Sequence, residues 1–133
     1  MRQARGWDTA LVTGASSGIG RALAVELVRG GARRVVLVAR RRALLEEVAA
    51  EVRDHGGDAA IEVLDVGDAD RCAARMEAID RAMGGLDLVV ANAGAGAGPG
   101  ADPLAWSTWR APLHVNLCGA AATLAGPLAN MVE

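Results

Sequence analysis

Short apolar runs alternate with amphipathic stretches along the whole chain. Thr9-Ala10-Leu11-Val12 is a brief apolar run and predicts a strand. Ile19, Leu23 and Leu27 then recur every fourth residue, which predicts one helical face, ended by Gly30-Gly31. Val35-Val36-Leu37-Val38 predicts a second strand, and its lack of alternation suits a strand covered on both faces. Leu44, Leu45, Val48 and Val52 form a second helical stripe before Gly56-Gly57. Residues 60–64 predict a third strand. Cys72, Met76, Ile79 and Met83 form a third stripe before Gly84-Gly85, and residues 86–90 predict a fourth strand. Residues 93–101, mostly Gly and Ala, predict a mobile loop too short to be a domain linker. Leu113, Leu117, Ala120, Ala121, Leu124 and Leu128 mark a last helix. Pro127 has no amide to bond the Thr123 carbonyl, so it is expected to kink that helix or loosen its end.

The order βαβαβαβα implies an α/β fold: a parallel sheet with helices on both faces. A length of 133 residues suits one domain, residues 1–133. An apolar fraction of 52% excludes a disordered chain. No apolar run is long enough to span a bilayer. Met1-Arg2-Gln3-Ala4-Arg5 leads into no apolar signal core, so a cytoplasmic protein is expected. Fourteen basic residues, all Arg, face sixteen acidic ones, for a net charge of −2 with no basic stripe. That balance argues against nucleic acid and against an anionic membrane as partners. Cys72 and Cys118 lie far apart without further Cys or His at ligand spacing, so no metal site and no disulfide framework are expected. Both are read as reduced, largely buried thiols. His55 reads as a helix cap and His114 as a packing or surface residue.

The strongest motif is Thr13-Gly14-Ala15-Ser16-Ser17-Gly18-Ile19-Gly20, set directly between the first strand and the first helix. A phosphate loop belongs there, because the free amides and positive end of the helix face the anion. Gly14 permits the tight turn, Gly18 lets the backbone approach a pyrophosphate, and Gly20 lets the helix pack on the sheet. The competing reading is a turn that merely uses three glycines.

The spacing Thr-Gly-x-x-x-Gly-x-Gly resembles that of the short-chain dehydrogenase/reductase family. Three further matches follow in order. Asp65 with Val66 matches the family Asp that bonds the adenine amino group. Asn92-Ala93-Gly94 matches the motif lining the cofactor cleft. Asn116, in Val115-Asn116-Leu117, matches the helix Asn of the catalytic tetrad. The resemblance implies a Rossmann-like doubly wound sheet, here about four strands in the order 3-2-1-4 and incomplete at the C-terminus. It implies hydride transfer between a nicotinamide and a small-molecule carbonyl or alcohol substrate of the full-length form, and a homo-oligomer as a candidate assembly.

A carboxylate at the end of the second strand would select NAD(H); here Arg40 stands there, followed by Arg41 and Arg42. Arg40 and Arg21 are expected to pair with a 2′-phosphate, so NADP(H) is preferred over NAD(H). For Arg41 and Arg42 the competing reading is a solvated helix start. The family's Ser and Tyr-x-x-x-Lys, which act beyond the fourth helix, have no counterparts, and the chain contains no Tyr and no Lys. The chain alone is therefore expected to be inactive. The alternatives are a non-catalytic NADP(H)-binding module or sensor, or a half-enzyme completed by a partner chain. Trp106 and Trp109 flank the Gly/Ala loop, and their spacing favours packing at a helix start over substrate contact. The last strand, with an apolar and ungated edge, is a pairing liability.

Overall fold

A computed structural model describes residues 6–132. Met1–Arg5, which carry the reading of no signal core, and Glu133 lie outside the described residues. The elements follow the predicted alternation. They are β1 (Thr9–Thr13), α1 (Gly18–Arg29), β2 (Arg34–Ala39), α2 (Arg42–Asp54), β3 (Asp58–Val63), α3 (Ala69–Met83) and β4 (Leu88–Val90). A continuous helical segment completes them: α4 (Trp106–Leu113), a π-helical stretch (His114–Gly119) and α5 (Ala120–Met131).

The four strands form one parallel sheet in the order β3-β2-β1-β4. Leu11 sits opposite Val36 on one side and Val89 on the other. The apolar runs are unbroken because both sheet faces are covered. Ala10, Val12, Val35 and Leu37 point into a core shared with Val25 and Val28 of α1 and Leu45, Val48 and Val52 of α2. Leu11, Val36 and Val38 point the other way, against Cys72, Met76 and Ile79 of α3 and Ala122 of α5. The period of two along each strand assigns neighbours to opposite layers.

Local chemistry sets the element ends. The Asp68 side chain caps α3 by accepting from the Arg71 amide at 3.3 Å. Gly84 ends α3 in the left-handed region at φ 74°. Asp80, buried on α3, accepts from the Leu86 amide at 2.8 Å and from Asn130 of α5. Asp87 accepts from the Asp8 and Thr9 amides, both at 2.9 Å, which fixes the start of β1. With the Leu86 amide given to the Asp80 side chain, β4 starts at Leu88 and is shorter than the predicted run.

Three expectations change. Cys118 is exposed, not buried, while Cys72 is buried as expected. The last helix begins at Trp106 and runs through Pro127 to Met131, with Pro127 buried inside it. Its departure from α geometry lies upstream, at His114–Gly119, just after Pro112, which has no amide to offer the Thr108 carbonyl. The leucines of this helix do not face the core. Gly119, Ala122, Thr123 and Pro127 are buried, whereas Leu117 and Leu128 are 68% and 53% exposed. Small residues let α5 lie close on α3: a side chain on Gly126 would stand 2.8 Å from the Glu77 amide nitrogen. Among the described residues no helix is long and apolar enough to cross a membrane, and no cluster of metal-ligating side chains occurs.

Candidate functional site

The strand order reverses at β1, with β2 on one side and β4 on the other. In doubly wound sheets a crevice opens at the carboxyl ends of the strands at that point. Here a cleft of about 290 Å³ lies there, walled by Gly14, the end of β2, residues 64–66 after β3 and residues 92–95 after β4.

The glycine loop is held from both sides. The Ala15 amide donates to the Val38 carbonyl of β2 at 3.2 Å. On the β4 side, Asn92 Nδ2 donates to the Thr13 carbonyl at 3.1 Å and the Ala93 amide donates to Thr13 Oγ1 at 3.0 Å. Gly14 has φ +67°, and a Cβ there would lie 2.9 Å from both Ala93 Cα and Asn92 Nδ2. Gly20 is the tighter position, since a Cβ would lie 2.2 Å from the Gly14 carbonyl oxygen. Gly18 has open space where a Cβ would project. The first turn of α1 carries no acidic side chain, so its free amides meet no competing anion.

The arginines divide into two groups. Arg40 and Arg41 line the cleft, and among the described residues neither forms an ion pair with a carboxylate. Arg21, expected beside them, does not line the cleft: its Nε lies 3.1 Å from Glu51 and its Nη1 3.6 Å from Glu47, tying α1 to α2. Arg42 faces Glu46 one helical turn on, at 4.0 Å.

Asp65 and Val66, just after β3, also line the cleft. Asp65 Oδ1 accepts from the Gly67 amide at 2.9 Å, which holds the side chain at the rim. Asn116, in the π-helical stretch, grips the loop after β4 by two bonds. Its Oδ1 accepts from the Ala95 amide at 2.8 Å, and its Nδ2 donates to the Ala95 carbonyl at 2.9 Å. Gly94 packs beside this clamp, with Asn116 Oδ1 3.3 Å from where its Cβ would be.

Gly14, Ser16, Ser17, Arg40, Asp65, Val66, Asn92, Ala93 and Gly94 thus surround one cleft. Thr13 and Gly20 shape the loop from behind, and Ile19 is 78% exposed on α1. Arg41, for which a phosphate contact and a solvated helix start both stood open, also lines the cleft, as do Ala95 and Val115, which the sequence did not mark as lining it. Three consecutive arginines carry no signal about which side chain turns inward. Trp106 and Trp109 lie off the cleft: Trp109 Nε1 donates to the Pro103 carbonyl at 2.9 Å, and Trp106 borders an apolar hollow with Leu117 and Cys118. His55 caps α2, its Nδ1 2.9 Å from the Glu51 carbonyl.

Fold and site together define a doubly wound α/β domain with a glycine-rich loop bordering a cleft at its switch point. The chain belongs to the short chain dehydrogenase family, whose pattern matches residues 8–133. An uncharacterized oxidoreductase of Myxococcus xanthus is 47% identical over 127 residues, 96% of this chain and 50% of the relative. A metagenomic short-chain oxidoreductase solved in complex with NADP superposes with a TM-score of 0.84 at 38% identity, covering 94% of this chain and 57% of its own. An NAD+-bound xylitol dehydrogenase also reaches 0.84, at 26% identity, over 98% of this chain and 50% of its own. The chain therefore spans about half the length of these relatives.

Proposed function

We propose that this chain is the cofactor-binding part of an NADP(H)-dependent oxidoreductase acting on a small carbonyl or alcohol compound. The observation that carries the reading is Arg40 and Arg41, unpaired with carboxylates among the described residues, at the cleft beside the glycine loop. Similarity alone does not choose between the nicotinamides, because NADP-bound and NAD+-bound structures resemble the chain equally in fold. The arginines favour the 2′-phosphate through charge-assisted, bidentate bonds.

The residues fit a dinucleotide. Gly14 and Gly20 keep the loop clear of side chains, and the amides from Ser17 to Gly20 suit a pyrophosphate. Asp65 and Val66 would hold the adenine, and Asn92, Ala93 and Gly94 would wall the cofactor's path. A bound nicotinamide supplies hydride chemistry. This chain's part is to orient it and to fix the loop above it through Asn116. The chain has no Tyr and no Lys, so the family's proton-transferring pair is not among its side chains. Cofactor binding without turnover is the expected behaviour of this polypeptide alone. The open edge of β4 and the exposed leucines of α5 favour, as a second reading, a half-enzyme completed by another polypeptide. Turnover only on adding such a polypeptide would select it.

Exchanging the charge at Arg40 tests the cofactor assignment. Arg40→Asp should reverse the preference, weakening NADPH by roughly tenfold or more as a charge-assisted contact is lost and a carboxylate faces the phosphate. An unchanged ratio of the NADPH and NADH dissociation constants would overturn the assignment.

A further inference from the structure

We infer that Gly119 is a positioning residue for the cofactor: it lets the stretch His114–Gly119 bear directly on Val66, and so fixes Asp65 and Val66 at the rim of the cleft. The inference rests on the dinucleotide reading, though not on the choice between NADP(H) and NAD(H), and deepens it. β3 and β4 are the outer strands of the sheet and do not pair with each other. Among the described residues no hydrogen bond directly joins residues 64–67, after β3, to residues 92–95, after β4. One helical stretch touches both. Asn116 binds both backbone groups of Ala95. Val115 packs on the buried layer that holds Leu64 and Val66, and its Cγ2 lies 3.3 Å from where a Cβ on Gly67 would be. Gly119 completes the bridge: a Cβ there would stand 2.7 Å from the Val66 carbonyl oxygen and 3.1 Å from Val66 Cγ2.

The backbone at this point does not call for glycine. Gly119 has φ −63° and ψ −40°, which any residue adopts, and glycine weakens a helix relative to alanine. The close approach to Val66 is what excludes a side chain. The nearest atom is a backbone oxygen, so no change of rotamer relieves the contact. Thr123, buried one turn on, donates from Oγ1 to the Gly119 carbonyl at 2.8 Å and ties this point to α5. On the other side of the contact, Asp65 is held through Oδ1 by the Gly67 amide, with Oδ2 left for the 6-amino group of an adenine. Displacing Val66 displaces its chain neighbour Asp65, and a hydrogen bond weakens steeply as its geometry is lost. Gly126 supplies the contrast. Its close approach is to the Glu77 amide nitrogen on α3, and neither Gly126 nor Glu77 lines the cleft.

Fluorescence titration of the whole chain with NADPH and with its hypoxanthine analogue reads the adenine seat, with circular dichroism confirming each variant's fold. The analogue carries a carbonyl in place of the 6-amino group, so the Asp65 carboxylate has nothing to accept from it. The wild-type chain should bind NADPH ~10-fold more tightly than the analogue. Gly119→Ala should narrow that ratio to about threefold or less, and should weaken NADPH and NADH by the same factor. Gly126→Ala should lower the melting temperature and keep the wild-type ratio. An unchanged ratio in folded Gly119→Ala would overturn the inference. So would an equal narrowing in Gly126→Ala, which would mark a general loosening of the helix. Should Gly119→Ala fail to fold, Thr123→Val decides, because it removes the bond to the Gly119 carbonyl without touching the cleft: a narrowed ratio supports the inference and the wild-type ratio overturns it. Failure of the underlying reading looks different. A wild-type chain that binds NADPH and the analogue equally would overturn the adenine seat itself, and one that binds neither would overturn the dinucleotide reading; this inference falls with either.

Discussion

Gly20, in the first turn of α1, and Ser17, which precedes that helix, lie three residues apart, and their environments differ sharply. A methyl group on Gly20 would meet a backbone carbonyl at 2.2 Å, which no side-chain rotation relieves. Ser17 is exposed, with its hydroxyl on Arg41 alone. Gly20→Ala should therefore destabilise the fold by about 2 kcal/mol or more, because α1 or β1 must shift to admit it. Ser17→Ala should stay within about 0.5 kcal/mol, as surface changes do. Urea unfolding of the two variants checks the order, and equal effects would contradict the close approach. At this scale the motif was legible because glycine is the only residue that fits such contacts. The direction of an arginine was not. Arg21, Arg40 and Arg41 differ in carboxylate neighbours supplied by α2, and sequence order does not show those neighbours.

The sheet and its first three helices were readable as elements; the stripes of α2 and α3 face buried layers, whereas in α1 Ile19 is exposed and Ala24, Val25, Leu27 and Val28 make the buried face. The last helix was readable as a helix but not as to its face. Its leucines carry the stronger hydrophobic pattern, yet Gly119, Ala122, Thr123, Gly126 and Pro127 make the contact with α3. Close approach of two backbones won over the burial of larger side chains. Leu113, Leu117, Leu124 and Leu128 are left 47%, 68%, 40% and 53% exposed. Exposed apolar side chains of this kind, of which Leu113 and Leu117 share a hollow with Trp106, favour association, as does the edge of the short β4, unpaired among the described residues. Sedimentation should show concentration-dependent self-association of the chain. The pair Leu113→Arg and Leu117→Arg should shift it toward monomer. A wild-type chain that stays monomeric at high concentration would contradict this account of the surface. The π-helical stretch had no sequence signal beyond Pro112, and it brings Asn116 within reach of both backbone groups of Ala95.

Across the whole molecule the two thiols report on packing. Cys72 sits in the core between sheet and α3, with its sulfur 3.7 Å from Thr123 Oγ1, and burial pushes its pKa above the ordinary thiol value. Cys118 is exposed on the π-helical stretch. A thiol reagent should modify one cysteine per folded chain and both after denaturation. The raised pKa also sets a sign. The unfolded chain loses its Cys72 proton first as pH rises, so the contribution to stability is present below the ordinary value of 9.0 and lost above it. Stability measured at pH 8 should exceed that at pH 10, and two reactive thiols in the native state would contradict the packing of this layer.

Direct titration of the chain with NADPH and with NADH tests the central claim, that this domain is built to hold a phosphorylated nicotinamide dinucleotide. Saturable binding of NADPH, tighter than that of NADH and without turnover of carbonyl or alcohol compounds, is the result the geometry predicts. No saturable binding of either, or a preference for NADH, would contradict it.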